Sequence, residues 1–210
     1  MILRLKEISK SFNFKQVLNR INLKVDQHEL VYLSGPNGSG KTTLLKVIAG
    51  ILNPESGSIY IDGIELKKNS YEYKSNIIYW GHQPMVYPNL TPMENLIFFL
   101  KLRRQTIPDD IDFLFEEIGM INHKDKPCYQ LSRGMFQKYN LLKCSVSKWS
   151  LALIDEPLSG MDDKGRDFFL KLLKNWASNK TVIFTSHQNM ELNKLATTQF
   201  SIVNKKLIKT

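Results

Sequence analysis

The sequence predicts an α/β fold with a parallel central sheet, and three observations lead to this prediction. Short continuous apolar runs, such as 30–33 and 151–154, are typical of parallel strands that are buried on both faces. Patterns typical of amphipathic helices alternate with these runs along the chain. Between about 85 and 150, helical patterns follow one another, which predicts a helical insertion in the α/β core.

The amino-terminal part of the chain alternates predicted strands with one helix. Period-two patterning marks the first two strands as half-buried, whereas the run over 30–33 is apolar throughout. A helix over 41–49 follows, and Gly50 ends it. In chain order, strands are predicted over 2–8, 17–25, 30–33, 58–61 and 77–80.

The remainder of the chain begins with helices and then returns to strands. Thr91, Pro92 and Glu94 predict the start of a helix that continues to Leu102, with threonine as N-cap and glutamate three residues after it. Further helices are predicted over 109–117, 134–146 and 163–176, strands over 151–154 and 181–184, and a strand pair over 200–208 that turns at 204–206.

Composition restricts the class of protein. The chain has 210 residues, of which 42% are hydrophobic and 23% charged, so we expect one globular domain over 1–210. No apolar run approaches the length of a membrane-spanning helix. Cys128 and Cys144 form no Cys-x-x-Cys motif, which favours two buried or partly buried thiols. The net charge of +9 favours an anionic partner: a nucleic acid, an anionic membrane or a phosphorylated ligand.

A glycine-rich loop between the strand 30–33 and the helix 41–49 matches the pattern G-x-x-x-x-G-K-[ST]. Glycines allow backbone N–H groups to point at phosphate oxygens, and the start of the following helix adds a positive dipole end. We expect Lys41 to contact the β- and γ-phosphates and Thr42 to offer its hydroxyl to Mg²⁺. The predicted phosphate-binding residues are Gly35, Pro36, Asn37, Gly38, Ser39, Gly40, Lys41, Thr42 and Thr43.

Two carboxylates follow the apolar strand 151–154. Open α/β sheets bind their ligands at the carboxyl ends of the parallel strands, and Asp155 and Glu156 come at such an end. We expect Asp155 to hold Mg²⁺, directly or through water, and Glu156 to polarise an attacking water. Together with the phosphate loop, this pair indicates a hydrolytic site for a phosphorylated ligand.

The phosphate loop, the acidic pair and several further motifs occur in the order that is found in the ATP-binding cassette (ABC) ATPases, and the chain resembles this family. The segment 131–135, Leu-Ser-Arg-Gly-Met, is similar to the LSGGQ signature of this family. The segment 159–162, Ser-Gly-Met-Asp, is similar to its D-loop. The resemblance also assigns Gln83 to the Q-loop, His187 to the switch histidine, and Phe12 to the aromatic residue that stacks on adenine, with Phe14 as the second candidate.

The resemblance implies a fold and a mechanism. The fold is a P-loop NTPase ABC cassette: a RecA-like core with a parallel sheet, an antiparallel β subdomain, and a helical subdomain over roughly 85–150. Two cassettes close head to tail, so that Ser132 and Gly134 of one cover the γ-phosphate bound by the other. ATP and Mg²⁺ are the implied cofactors, with Thr42, Gln83 and Asp155 as metal ligands and Glu156, His187 and Lys41 as catalytic residues.

Partners follow from the same resemblance. One cassette without a membrane span implies a second copy of the cassette and separate membrane-spanning subunits, contacted by the helical subdomain and the region of Gln83. We expect peripheral association with a membrane, and no nucleic acid, because the lysines are scattered rather than gathered in one stripe. Two residues depart from the signature: Arg133 replaces a glycine and Met135 a glutamine. Arg133 either crowds the loop or adds charge near the phosphate, and we expect ATP hydrolysis to be retained.

A more particular resemblance concerns residues 79–99. This stretch, with Gly-His-Gln-Pro at 81–84 and Glu-Asn-Leu at 94–96, is similar to the heme-exporter ATPases of cytochrome c maturation. That group implies an ATPase whose activity drives release of heme-loaded chaperone, at the cytoplasmic face of the inner membrane or the matrix face of a mitochondrial inner membrane. The alternative is the ATPase subunit of another small exporter, of drugs, lipids or polysaccharides. A soluble ABC protein acting on DNA or ribosomes and a binding module without catalysis are less favoured.

Overall fold

The computed structural model describes residues 1–66, 71–81, 85–186 and 190–210, without the side chains of 190 and 191. The chain divides into two compact units. The first consists of Met1–Gly81, Trp149–Glu156 and Asn175–Thr210, and the second of His82–Lys148 and Pro157–Lys174. The second unit therefore comes from two stretches of chain that flank 149–156.

Strands and helices alternate along most of the chain. The strands are β1 (Leu3–Phe12), β2 (Lys15–Val25), β3 (Leu30–Ser34), β4 (Ser56–Ile61), β5 (Ile64–Glu65), β6 (Ile77–Trp80), β7 (Leu151–Asp155), β8 (Thr181–Thr185), β9 (Thr198–Val203) and β10 (Lys206–Lys209). The helices are α1 (Lys41–Ile48), α2 (Tyr71–Ser75), α3 (Pro92–Leu102), α4 (Ile111–Glu117), α5 (Arg133–Val146), α6 (Asp163–Trp176) and α7 (Met190–Leu195).

An antiparallel sheet in the first unit has the strand order β2-β1-β4-β5. Period-two patterning predicted its first strand only as far as residue 8. The pairing of β1 with β2 shifts between Leu5 and Ile8, and Glu7 has a φ of 51°. This bulge interrupts the alternation of inward and outward side chains, and the strand resumes after it and reaches Phe12.

The other sheet of the first unit has the strand order β10-β9-β3-β8-β7-β6. The pairs from β9 through β3, β8 and β7 to β6 are all parallel, which confirms the predicted α/β fold. Every residue of β7 and β8 is buried, as their apolar runs predicted. β9 and β10 turn back at Asn204 and Lys205, with φ 49° and 65°, so this two-residue turn is one residue shorter than predicted.

Helix α1 follows β3 and anchors the core of the first unit. Its buried residues Leu44, Leu45 and Val47 belong to one hydrophobic cluster with residues of both sheets. Burying each such side chain stabilises the fold by about 1.5–3 kcal/mol. This packing holds the start of α1 beside the carboxyl end of β3. Members from the sheets include Leu3, Leu5, Ile8, Leu33, Leu153 and Ile183.

The second unit is helical in the residues described. Thr91 Oγ1 accepts from the N–H of Glu94 at 3.1 Å, and the Glu94 carboxylate accepts from the N–H of Thr91 at 2.8 Å, so the predicted helix start is confirmed. α4 begins at Ile111, two residues later than predicted, because a turn precedes it in which Ile111 N–H donates to Pro108 O. Both cysteines are buried free thiols, as expected. Within the described ranges, no helix has the length and hydropathy needed to cross a bilayer.

Candidate nucleotide-binding site

The glycine-rich loop joins the end of β3 to the start of α1. Gly40 is the N-cap of α1, with a φ of 107°, and as a glycine it has no side chain to cap this helix. A Cβ at this position would lie 2.9 Å from Val17 Cγ1, so both the backbone conformation and the packing require glycine. The N–H groups in the first turn of α1 are thus not engaged by a capping side chain, which suits the binding of an anion.

Lys41 lies across this loop rather than extending into solvent. Its side chain is largely enclosed, at 8% residue exposure, and Nζ donates to the carbonyl oxygens of Gly35 at 2.7 Å and Pro36 at 3.0 Å. Ser39 Oγ is also buried, and it has no hydrogen-bond partner among the described residues. A buried hydroxyl without a partner next to a buried ammonium is a polar environment that a phosphate oxygen would satisfy.

Asp155 connects the phosphate loop to the strand ends. The residue is 1% exposed. Its Oδ2 accepts a hydrogen bond of 2.6 Å from Thr42 Oγ1, and its Oδ1 accepts one of 2.7 Å from Thr185 Oγ1. The structure therefore brings together the two residues of the first unit that the sequence proposed as Mg²⁺ ligands.

Thr185 is a site residue that the sequence analysis missed. Its Oγ1 accepts from the backbone N–H of Glu156 at 3.0 Å while it donates to Asp155, so one hydroxyl orients both acidic residues. Glu156 has a φ of 53°, a left-handed conformation that costs a non-glycine residue about 1–3 kcal/mol. Local sequence does not mark Thr185, because Asp155 pairs with it across two parallel strands, one residue beyond the predicted end of the second strand.

The donor set around Asp155 fits Mg²⁺. No group of three or more His, Cys, Asp or Glu side chains in the described ranges forms a metal cage. Mg²⁺ does not need one, since it binds through one or two protein oxygens together with phosphates and water. Tyr79, on the neighbouring strand β6, adds a buried hydroxyl without a hydrogen-bond partner among the described residues. Burial and, to a lesser extent, the charge of Asp155 raise the pKa of Tyr79, so it stays neutral.

Phe12 and Phe14, the two candidates for stacking on adenine, are both described by the structure. Phe12 ends β1, is 44% exposed, and has Lys10 Nζ 5.3 Å from its ring centroid. Phe14 lies in the turn of the hairpin and is fully exposed. Gln83 and His187 lie outside the described residues, so their roles remain predictions.

The signature segment opens helix α5 in the second unit. Ser132 is the N-cap, and its Oγ accepts from the N–H of Met135 at 3.3 Å. The N–H of Ser132 in turn donates to Met135 Sδ at 3.4 Å, so the sulfur completes a capping box. This contact explains how the helix start retains its shape although methionine stands in place of the glutamine of the family's signature.

The residues after Ser132 contact the D-loop segment 159–162. Arg133 Nη2 donates to Ser159 Oγ at 3.0 Å. A Cβ at Gly134 would collide with the carbonyl oxygen of Gly160, so the close approach of the two backbones requires glycine here. Gly134 therefore keeps its close approach to Gly160 with arginine at position 133. The Arg133 side chain contacts the D-loop segment through Ser159.

Asn95 organises the segment that precedes α3. The side chain is buried, and its Oδ1 accepts from the N–H of Tyr87 at 2.8 Å. Its Nδ2 lies within hydrogen-bond distance of the carbonyl oxygens of Tyr87, Leu90 and Thr91, at 3.0–3.3 Å, and of Cys128 Sγ, at 3.3 Å. The Asn95 amide and the backbone bonds from Cys128 N–H to Leu90 O and from Tyr129 N–H to Pro88 O together connect 87–91 with the turn that leads into the signature.

Comparison with known proteins agrees with this geometry. The family described as "ABC transporter" matches residues 18–159, which is more than half of the chain. The Cytochrome c biogenesis ATP-binding export protein CcmA of Histophilus somni is 31% identical over 92% of this chain and 90% of its own length. The Spermidine/putrescine import ATP-binding protein PotA of Fusobacterium nucleatum is 35% identical over 88% of this chain, but over only 50% of its own length.

A solved structure supports the fold. The ATP-binding cassette MJ0796, in a dimeric post-hydrolysis state bound to ADP and Pi, superposes with a TM-score of 0.85 at 22% identity and covers 99% of this chain and 98% of its own. At that identity the likeness concerns the fold alone. The family match and the relatives at more than 30% identity carry the assignment. The chain therefore belongs to the ABC transporter family, and it is an ATP-binding subunit that hydrolyses ATP.

Proposed function

We propose that this chain is the ATPase subunit of a heme-exporter complex that serves cytochrome c maturation. The observation that carries the proposal is the similarity, over nine-tenths of both chains, to a protein named for ATP-binding export in cytochrome c biogenesis. The hydrogen-bonded set of Thr42, Asp155 and Thr185 supports the ATPase part of the proposal, because it joins the phosphate loop to the acidic pair.

The nucleotide is held mainly by the phosphate loop. Residues 35–43 surround the phosphates with backbone N–H groups, and Lys41 exchanges its carbonyl partners for the β- and γ-phosphate oxygens. Ser39 Oγ gains a partner at the same time. Phe12 offers an exposed ring at the end of β1 for stacking on adenine, and Phe14 is the second candidate.

Hydrolysis is assigned to the acidic pair. Thr42, Asp155 and Gln83 hold Mg²⁺, which, when bound, neutralises charge that develops on the phosphates. Glu156 orients and polarises the attacking water, and Thr185 holds its backbone in place. The family resemblance assigns His187 to the switch histidine, and we propose that it acts on the γ-phosphate.

A second copy of the chain completes each site. Ser132 and Gly134 stand at the start of a 14-residue helix, whose positive dipole end suits the γ-phosphate of the ATP bound by the other copy. The Ser132 oxygen accepts a bond from its own helix, which leaves its proton for a phosphate oxygen. The dimer of the structurally similar MJ0796 cassette supports this arrangement.

Membrane-spanning subunits of the heme-exporter type are the further partners. Met85, Tyr87 and Phe98 are exposed in the second unit, and the rings of Tyr87 and Phe98 meet edge to face at 5.1 Å. Exposed apolar side chains of this kind suit contact with another protein. In this proposal the complex lies at the cytoplasmic face of the inner membrane, where the net charge of +9 is compatible with an anionic leaflet. The second proposed location is the matrix face of a mitochondrial inner membrane.

The ATPase part is tested with Glu156→Gln. This variant keeps the shape of the side chain but removes the carboxylate, so we expect Mg²⁺-dependent ATP hydrolysis to fall by about a hundredfold or more while ATP still binds and a dimer accumulates. Turnover is measured by phosphate release, and dimer formation by size-exclusion chromatography with ATP. Glu116→Gln, an exposed glutamate at the end of α4, is the matched control. Undiminished hydrolysis in Glu156→Gln would show that another group activates the water.

The heme-exporter part is tested by deleting the gene in its host and measuring holocytochrome c. We expect holocytochrome c to be lost and to return with the wild-type chain, but not with Glu156→Gln. Normal holocytochrome c in the deletion strain contradicts the proposal. It would favour the ATPase subunit of another ABC transporter, either the small exporter of drugs, lipids or polysaccharides or a transporter of another kind, since the import protein PotA is also similar to this chain.

A further inference from the structure

Two contacts join the signature to the loop that follows the acidic pair. Arg133, the residue directly after Ser132, donates from Nη2 to Ser159 Oγ at 3.0 Å. The backbones of Gly134 and Gly160 approach so closely that no side chain fits between them. A displacement of 159–160 is therefore transmitted directly to the residues next to the signature serine.

The same loop begins at the catalytic carboxylate. Ser159 follows Glu156 by three residues, and Thr185 holds Glu156 and Asp155 through hydrogen bonds. In the proposed function, the acidic pair acts on the ATP bound by its own chain, whereas Ser132 covers the ATP of the second copy. The short stretch from Glu156 to Ser159 therefore connects groups that serve two different ATP molecules.

A glycine at position 133 would lack this connection. The guanidinium reaches Ser159 from the start of α5, and a hydrogen bond from a charged donor is stronger than one between neutral groups. Lys138 makes a separate ion pair of 2.6 Å with Asp162, so α5 keeps one link to the start of α6 when Arg133 is removed. Loss of Arg133 should therefore loosen the connection to Ser159 and leave α5 folded.

We propose that Arg133 is a positioning residue that makes hydrolysis of the two ATP molecules cooperative. It acts through Ser159: a shift of the loop after Glu156, caused by ATP at one site, moves the signature that covers the other site. The inference rests on the proposed pairing of two cassettes. It gives a role to Arg133, the long side chain that stands where the family's signature has glycine.

The test uses the purified full chain and compares Arg133→Ala, Ser159→Ala and the double variant. The rate of ATP hydrolysis is measured against ATP concentration with Mg²⁺, and the Hill coefficient is obtained from the curve. Dimer affinity with ATP is measured separately in the Glu156→Gln background. Two controls accompany them: Ser159→Thr, which keeps the hydroxyl, and Lys126→Ala, which removes an exposed cation of the second unit without touching this contact.

We expect a Hill coefficient above one for the wild type and both controls, and a fall toward one for Arg133→Ala and Ser159→Ala. The loss in the double variant should be smaller than the sum of the two single losses, because both single changes remove the hydrogen bond between Arg133 and Ser159. In the Glu156→Gln background, each single loss should weaken ATP-dependent pairing by about tenfold, the effect of one charge-assisted hydrogen bond.

Three outcomes would overturn the inference. Folded Arg133→Ala with a wild-type Hill coefficient shows that the contact carries no coupling, and additive losses in the double variant show that the two residues act separately. If Arg133→Ala does not fold, Ser159→Ala decides, and an unchanged Hill coefficient there rejects the inference. A wild-type chain that hydrolyses ATP without any ATP-dependent pairing contradicts the proposed function itself, and the inference with it.

Discussion

Helices α1 and α5 both begin directly after a predicted ATP-contacting segment, but they begin in opposite ways. α1 starts after Gly40 without a capping side chain, and its first residue, Lys41, folds back on the loop carbonyls. α5 starts after Ser132, whose hydroxyl and N–H are both engaged by Met135. One helix start thus leaves its N–H groups without a side-chain cap, and the other is closed by its own side chains.

This difference explains where the chain can depart from the family's pattern. The start of α1 depends on glycine conformations and on one lysine for its interaction with phosphate, so its glycines and Lys41 are restricted. A start with a cap keeps its shape through Ser132 and Met135, so position 133 is available for another contact. We therefore expect substitutions at α1 to affect ATP binding and substitutions at α5 to affect helix stability and pairing.

The largest effect is expected from Lys41→Ala, which removes the cation from the helix start without a cap. Loss of the charged contacts to two phosphates should lower ATP affinity by about a hundredfold, with little change in stability. Isothermal titration calorimetry measures the affinity, and Lys46→Ala, in the last turn of the same helix, is the control. An unchanged ATP affinity in Lys41→Ala would show that Lys41 does not bind the phosphates, and the two helix starts would then not differ in this way.

Lys143 in α5 is also buried, but it lies outside the phosphate loop. We expect its buried charge to lower the free energy of unfolding. Burial lowers its pKa to about 8, while Cys144 and Cys128 oppose this effect; the rings of Phe99 and Tyr139 are its cation–π neighbours. Between pH 8 and the unfolded value of 10.5, the unfolded chain binds this proton more tightly than the folded chain. The contribution of Lys143 to stability therefore rises with pH across that window and is constant below it.

We expect Lys143→Met to raise the free energy of unfolding at pH 7 by about 1–3 kcal/mol, because it removes the cost of burying a charge. The advantage over the wild type should shrink from pH 8 to pH 10, as the wild-type lysine loses its proton in the folded state. Urea denaturation at each pH gives the free energies, with Lys101→Met, an exposed lysine of α3, as the control. A difference that grows with pH would contradict the sign of this linkage.

The smallest effect is expected from Ser132→Ala, which removes the cap of α5. Loss of an N-cap hydroxyl costs about 1 kcal/mol of stability, and ATP binding by the single chain should not change. Met135→Gln retains a side-chain acceptor at the same position, so it should be at least as stable as the wild type. Thermal unfolding measures both variants, and reduced ATP affinity of the monomeric Ser132→Ala chain would show that the signature also serves its own nucleotide.

Local patterns in the sequence predicted much of this molecule. The apolar runs of β3, β7 and β8, the glycine-rich loop and the capping box at Thr91 all depend on residues close together in the chain, and each was predicted. The five-residue helix α2 and the bulge in β1 were missed because each is too short to show a repeated hydrophobic pattern. The roles of Thr185 and Arg133 were missed for another reason: their partners lie 30 and 26 residues away, so only the folded chain brings them together.

The buried amide of Asn95 affects how firmly residues 87–91 are held within the second unit. Its contacts to Tyr87, Leu90, Thr91 and Cys128 all depend on one buried side chain, so they are lost together when that side chain leaves its position. Two backbone hydrogen bonds, from Cys128 N–H to Leu90 O at 2.9 Å and from Tyr129 N–H to Pro88 O at 3.0 Å, hold the same segment without Asn95. Loss of the Asn95 amide would therefore loosen residues 87–91 without detaching them from the turn that leads into the signature.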